Sequence, residues 1–240
     1  MERFFWRDRD PPPEERTIER RFPETVRGYQ AWRTLARAVD EDPFGERPEF
    51  LRSAFDTFLV AANGDTRPLP PTCCLFISHR MNDVNNALHI AWVATQCGYD
   101  YWLDVHDPRL LAANRVPLSS PAQEILIAAI IEIALLNVTH VVALQTNRSL
   151  GSQWIPYELG RAKTRHVYSD QAAGWYYPSA LANSRAEYMH LVETTTSDAE
   201  IRAWLTRPRP SRPDQSPCSL RVAGDRKWKY GDHEPPLDPP

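Results

Sequence analysis

The stretch that decides the fold runs His140-Val141-Val142-Ala143-Leu144-Gln145 and then Ser149-Leu150-Gly151-Ser152-Gln153-Trp154-Ile155-Pro156-Tyr157-Glu158-Leu159-Gly160-Arg161-Ala162-Lys163. Its first part is a short apolar run of strand length, the composition of a strand buried on both faces. The second part opens with helix signals. Ser152 is a capping residue type, and Pro156 is tolerated in a first turn. Trp154 and Glu158 then lie four residues apart, on one face of the predicted helix. An aromatic ring and a carboxylate therefore leave the C-terminal edge of the predicted sheet together. In open α/β folds that edge is where ligands bind.

The same strand-then-helix alternation recurs on both sides. Residues 73–78 (CCLFIS) predict a buried strand. Residues 83–96 predict a helix with Val84, Leu88, Ala91 and Trp92 on one face and Gly98 beyond its end. A second strand is predicted at 99–105, and a long loop holding Pro108 and Pro117 at 106–120. A very apolar helix follows at 121–137, and the third strand at 139–145. Further strands are predicted at 165–169 and 174–178. Helical pieces follow at 183–194 and 197–206, the last with Ser197 as N-cap and Glu200 three residues on. Short apolar strands alternating with helices predict an α/β fold, a parallel sheet of about five strands flanked by helices.

Upstream, 28–39 and 47–62 show helical spacing. Phe50, Leu51, Ala54, Phe55, Phe58 and Leu59 form an apolar stripe on the second. That stripe predicts packing on the main domain; a partner or oligomer interface is the alternative. Asn63-Gly64-Asp65 and the prolines at 68, 70 and 71 break the chain there. The expected organisation is an N-terminal arm and helical extension over 1–71, a main domain over 72–206, and a proline-rich, disordered tail over 207–240.

Composition removes several function classes. The 240 residues are 42% hydrophobic and 25% charged, with a net charge of -3, so no global basic field exists to attract nucleic acid. The longest apolar stretch, 125–136, is interrupted by Glu132, so no membrane span is expected. The N-terminus lacks a signal-peptide layout, which points to the cytoplasm. Cys73, Cys74, Cys97 and Cys218 fit no zinc spacing and predict reduced, mostly buried thiols; no metal is expected. No Gly-x-Gly-x-x-Gly follows the first strand, and no Ser-His-Asp order or Cys-His pair supports acyl transfer.

Five boxes in order resemble the Toll/interleukin-1 receptor (TIR) domain family, bacterial defence type. Phe76-Ile77-Ser78-His79-Arg80, with Asp83 shortly after, resembles the first box. Trp102-Leu103-Asp104 is similar to the second strand, and the 121–137 helix with the His140 strand to the next pair. Ser152-Gln153-Trp154 with Glu158-Leu159 resembles the Ser-x-Trp-x-x-x-Glu-Leu signature. Glu200-Ile201-Arg202-Ala203-Trp204-Leu205 resembles the ending of such domains. The match covers roughly 72–206. One departure is the absence of any Gly between 99 and 150, where family loops usually carry one.

The resemblance implies a flavodoxin-like fold and cleavage of NAD+ at the nicotinamide–ribose bond, by hydrolysis or by cyclisation of ADP-ribose into a signalling nucleotide in antiviral immunity. NAD+ is then the substrate, with no cofactor. It implies Glu158 as the catalytic residue and self-association through TIR–TIR contacts, with an effector or sensor protein as a further partner. A catalytically silent interaction or adaptor module is the alternative. The chemistry suits these residue types. Nicotinamide leaves NAD+ without protonation, so the demand is to stabilise positive charge developing on ribose, which one carboxylate can do. Trp154 offers a flat surface to a planar cation or to adenine. Ser78, His79 and Arg80 leave the first strand where a pyrophosphate could be held by backbone N–H groups or by the guanidinium. Asp104 is placed to orient the loop that follows, a candidate lid.

Overall fold

The computed structural model describes residues 22, 24–69, 72–114, 119–149, 151–163, 169–176 and 186–208. The fold is α/β with a flavodoxin-like arrangement: five parallel strands in the order β2-β1-β3-β4-β5. The described chain groups into two compact units. One draws on Met1–Pro70 and Asp104–Asn137, the other on Pro71–Leu103 and Val138–Pro240.

The second unit holds the sheet. Its strands are β1 (Cys74–Ser78), β2 (Asp100–Trp102), β3 (His140–Gln145), β4 (Ala172–Tyr176) and β5 (Glu193–Thr195). Every residue of β1, β3 and β4 is buried, as expected of central parallel strands covered on both faces. Three helices accompany them: α3 (Val84–Gln96), α6 (Trp154–Lys163) and α7 (Asp198–Thr206). Strand alternation sorts these by face. Leu75 pairs with His140, whose ring meets Trp204 of α7 edge-on at 5.7 Å. Ser78 pairs with Ala143 and points the other way, to Glu158 of α6. The α6 face also carries Phe76 stacked on Trp102 at 4.5 Å. Ser197 caps α7 by accepting from the Glu200 N–H at 3.3 Å, and the Glu200 carboxylate accepts from the Thr196 N–H at 2.6 Å.

The first unit is helical: α1 (Tyr29–Glu41), α2 (Pro48–Asn63), α4 (Pro108–Ala113) and α5 (Ser120–Leu136). α1 buries Trp32, Leu35 and Val39, and α2 buries Leu51, Phe58 and Ala62. α2 packs on α1 and α5, so the apolar stripe is inward at Phe58, with Phe50 and Phe55 half-buried. Gly28 sits at φ 80, and a Cβ there would stand 2.3 Å from Ile133 Cδ1. Both the backbone and the close helix approach require glycine. Asp65 ties this corner together, accepting from the Gly28 N–H at 2.8 Å and from Arg67 Nε at 3.0 Å.

Several expectations are corrected. The 106–120 loop contains α4, begun by Pro108 at the one helix turn where proline fits. Of the predicted 183–194 helix, residues 183–185 lie outside the described residues, and the described part is instead a 3-10 turn at Glu187–Leu191 that leads into β5. The 165–169 strand falls almost wholly outside the described residues, and Ser169 opens a 3-10 turn. Of the 207–240 tail only Arg207 and Pro208 are described, and residues 1–21 lie outside the described residues. Cys73 is disulfide-bonded, whereas Cys74 and Cys97 are free thiols, so the four cysteines are not uniformly reduced. Burial pushes the Cys97 thiol up. Among the described residues, no helix is long and apolar enough to cross a membrane.

The hydrogen bond from the Arg67 guanidinium holds the Asp65 carboxyl well below the ordinary carboxylate range. A depressed carboxylate stabilises the fold above its unfolded value near pH 4, and that contribution is lost as pH falls through the folded value. Asp65→Asn is therefore expected to cost about 1–2 kcal/mol at neutral pH. It should also flatten the fall in melting temperature below about pH 4. Thermal melts across pH test both effects.

Candidate functional site

The site is built where β1 and β3 end. A strand buried on both faces keeps its polar groups paired through the ladder, and at its last residue new partners must be found. β1 ends on Ser78, whose Oγ donates to Glu158 Oε2 at 2.5 Å. That is a short contact, at the lower limit for a hydroxyl donating to a carboxylate. The pair is enclosed: Ser78 is 1% exposed and Glu158 7%. α6 sets the second partner. Ser152 Oγ accepts from the Ile155 N–H at 3.4 Å, and one turn into the helix Glu158 faces the end of β1.

Trp154 begins α6 and is 45% exposed. Its ring meets Tyr157, itself 40% exposed, edge-on at 5.9 Å. Glu158 thus turns inward from the helix while the two rings form an aromatic corner open to solvent. His79 is half-buried, its Nδ1 3.3 Å from the Ile77 carbonyl. Arg80 is exposed and its Nη1 donates to the Arg148 carbonyl at 2.5 Å. Asp104 belongs to the helical unit, where it opens the turn Asp104–His106 and accepts from the Val105 N–H at 2.6 Å. It orients its own turn. Ser78 and Glu158 are therefore brought into direct contact, His79 and Arg80 follow on the same strand exit, and Trp154 shares the helix.

Beneath this edge lies a polar network that the sequence did not single out. Asp83, at the N-terminus of α3, is fully buried and accepts from Thr146 Oγ1 at 2.9 Å. Thr146 Oγ1 in turn accepts from the Arg148 and Ser149 N–H groups at 3.0 and 3.1 Å, and Ser149 Oγ accepts from the Thr146 N–H at 2.8 Å. Thr-x-x-Ser after a strand is a side-chain turn signal, so part of this was readable. Gln145 was also missed. By alternation it shares the sheet face of Ala143 and Ser78. It is 1% exposed, its Nε2 donates to the Thr146 carbonyl at 3.3 Å, and its Oε1 has no hydrogen-bond partner among the described residues.

Chemically, the arrangement provides one enclosed carboxylate, an exposed aromatic corner and arginines at the C-terminal edge of a parallel sheet. Among the described residues no group of three or more His, Cys, Asp or Glu side chains could hold a metal ion.

An orphan buried carbonyl costs about 1–3 kcal/mol. In Gln145→Met the Thr146 carbonyl keeps the Ser149 N–H and Oγ as donors, at 3.2 and 2.9 Å. The expected melting temperature of Gln145→Met is unchanged or raised by about 2–4 °C. A fall of that size would mean that Oε1 is satisfied in solution.

No protein-family model matches the chain, and neither the curated proteins nor the solved structures contain a match to it.

Proposed function

We propose that the protein is a TIR-like NAD+ nucleosidase that breaks the nicotinamide–ribose bond. The observation that carries this reading is the enclosed Ser78–Glu158 pair at the C-terminal edge of the sheet. It joins the first and fourth of the five TIR-like boxes in space, although they stand 80 residues apart.

In the proposed reaction the C–N bond breaks with its electron pair going to the nicotinamide nitrogen, which becomes neutral. Ribose C1′ takes on positive charge. Glu158 stabilises that charge and grips a ribose hydroxyl, and Ser78 fixes which carboxylate oxygen faces the sugar. Enclosure strengthens the carboxylate's effect, because little water competes for the charge. Water then adds to C1′ and loses a proton, giving ADP-ribose. In a cyclase an adenine nitrogen takes the place of water. Trp154 and Tyr157 offer flat faces for the cationic ring or for adenine.

Antiviral signalling, self-association through TIR-type contacts and an effector or sensor partner belong to the same proposal. So does the cytoplasmic location. A second reading, a silent interaction module, is favoured by the exposed Trp154–Tyr157 corner, since aromatic residues are enriched at interfaces.

The test is nicotinamide release from NAD+ by the full chain, run up to high protein concentration. Glu158→Gln is expected to reduce the rate by at least about 100-fold, the scale for losing one preorganised electrostatic group. Ser78→Ala should reduce it less. No release under any condition would leave the interaction module; release unchanged in Glu158→Gln would place the chemistry elsewhere.

A further inference from the structure

We infer that Gln145 recognises the base of the substrate, its Oε1 accepting an N–H from the carboxamide of the nicotinamide ring. This rests on the nucleosidase reading of the site and adds to it a specificity-determining contact on the leaving group.

Gln145 ends β3 and is 1% exposed. A buried amide normally has both of its ends bonded. The nitrogen end is bonded here, since Nε2 donates to the Thr146 carbonyl at 3.3 Å. The oxygen end has no hydrogen-bond partner among the described residues. The amide's orientation follows from its chemistry, because the atom beside a carbonyl oxygen must be the NH2 group. Turning the amide over would set two oxygens against each other. Gln145 thus holds an acceptor in the interior, on a residue whose other end is anchored.

The neighbouring donors are already committed. The Thr146 hydroxyl donates to Asp83 at 2.9 Å, and the Ser149 hydroxyl donates to the Thr146 carbonyl at 2.9 Å. The Thr146 N–H goes to Ser149 Oγ at 2.8 Å. The Arg148 and Ser149 N–H groups go to Thr146 Oγ1 at 3.0 and 3.1 Å. On the adjacent strand the Ser78 hydroxyl donates to Glu158. The turn after β3 therefore fixes the amide by its nitrogen and leaves its oxygen for a donor that an incoming ligand brings.

The register of the sheet selects the ligand group. Ala143 pairs with Ser78, and Gln145 lies two residues further along β3, on the same face by alternation. α6, which carries Glu158, packs on both strands. One strand spacing across and two residues along put the Cα atoms of Ser78 and Gln145 roughly 8 Å apart. That is the scale of an aromatic ring joined to a sugar, with Glu158 at the ribose and Gln145 at the far edge of the ring. Nicotinamide carries a primary carboxamide on that edge, an N–H donor beside a carbonyl. The Gln145 amide presents the complement, its Oε1 beside the second hydrogen of Nε2. Holding the ring by its substituent orients the bond to C1′ toward the carboxylate. A buried acceptor also discriminates against a ligand that lacks the donor, since such a ligand leaves the acceptor dry and unpaired.

The experiment compares NAD+ with its 3-acetylpyridine analogue, in which a methyl group replaces the carboxamide NH2. Both are offered to the full chain as ligands, by calorimetry, and as substrates, by release of the free base. The wild type is expected to favour NAD+ about tenfold more than Gln145→Met does. Taking the ratio between chains cancels the intrinsic leaving ability of the two bases. Gln145→Asn keeps an amide but draws it back by one methylene, and should lose the preference as well. Melting temperatures establish that both variants fold. The hypoxanthine analogue of NAD+ lacks the adenine amino group, and the substitutions should weaken it as much as they weaken NAD+. An NAD+ preference that survives in the folded variants, whatever their melting temperatures, would overturn the assignment. So would no binding of NAD+ by the wild type, or sensitivity to position 145 that disappears with the hypoxanthine analogue instead of the acetyl one. Carboxamide preference in binding with no base released would uphold Gln145 and sink the nucleosidase. Nicotinamide release indifferent to position 145 would do the reverse.

Discussion

Two adjacent strands that are buried on both faces can end only where their last polar groups find partners. In this protein β1 and β3 end side by side, and the partners come from each other's exits and from the two helices that follow. Ser78 closes on Glu158 of α6, and Thr146 closes on Asp83 at the head of α3. Each bond crosses from one strand's exit to the element after the other strand. The two helices are therefore tied to the sheet by polar contacts at its rim as well as by the close-packed apolar contacts below. A hydrogen bond at 2.9 Å holds its partners to a narrow range of distance and angle. What makes the rim stable is thus also what makes it geometrically definite, the first requirement of a binding or catalytic site.

Much of this frame was legible in the order of residues. Strands of uninterrupted apolar character gave themselves away at Cys74–Ser78 and His140–Gln145, because burial on both faces leaves no polar alternation. The capping pair Ser197 and Glu200 announced α7 and behaves as its residue types predict. Failures have equally physical causes. β5 is Glu193-Thr194-Thr195, polar and half-exposed in its first two residues, and it owes its strand character to pairing with β4 rather than to its own composition. α4 was hidden by Pro108, read as a breaker although proline suits a helix start.

The site was legible in part for the same reason. Trp154 and Glu158 were placed on one helix face, and four-residue spacing does bring them to one helix side. Nothing local revealed that one would be enclosed and the other left in solvent, since burial is decided by what α6 leans on. Arg148 carried no signal, being a surface arginine in a loop. Its N–H bond to Thr146 is local, but Thr146 is itself placed by Asp83 and by the parallel register of β1 with β3, which are long-range facts. Asp83 lies at the head of α3, where a carboxylate favours the helix dipole, and it also accepts from Thr146 of the neighbouring loop.

The outermost strands of the sheet carry a further meaning. β2 and β5 are only three residues long, and the β5 rim bears an ion pair between Arg207 and Glu193 at 2.6 Å. Short, charged rims make poor templates for strand addition by another chain. Crowded copies of this protein would have little means of zipping together edge to edge into fibrous aggregates. Resistance to edge-wise pairing is thus written into the two least conspicuous strands.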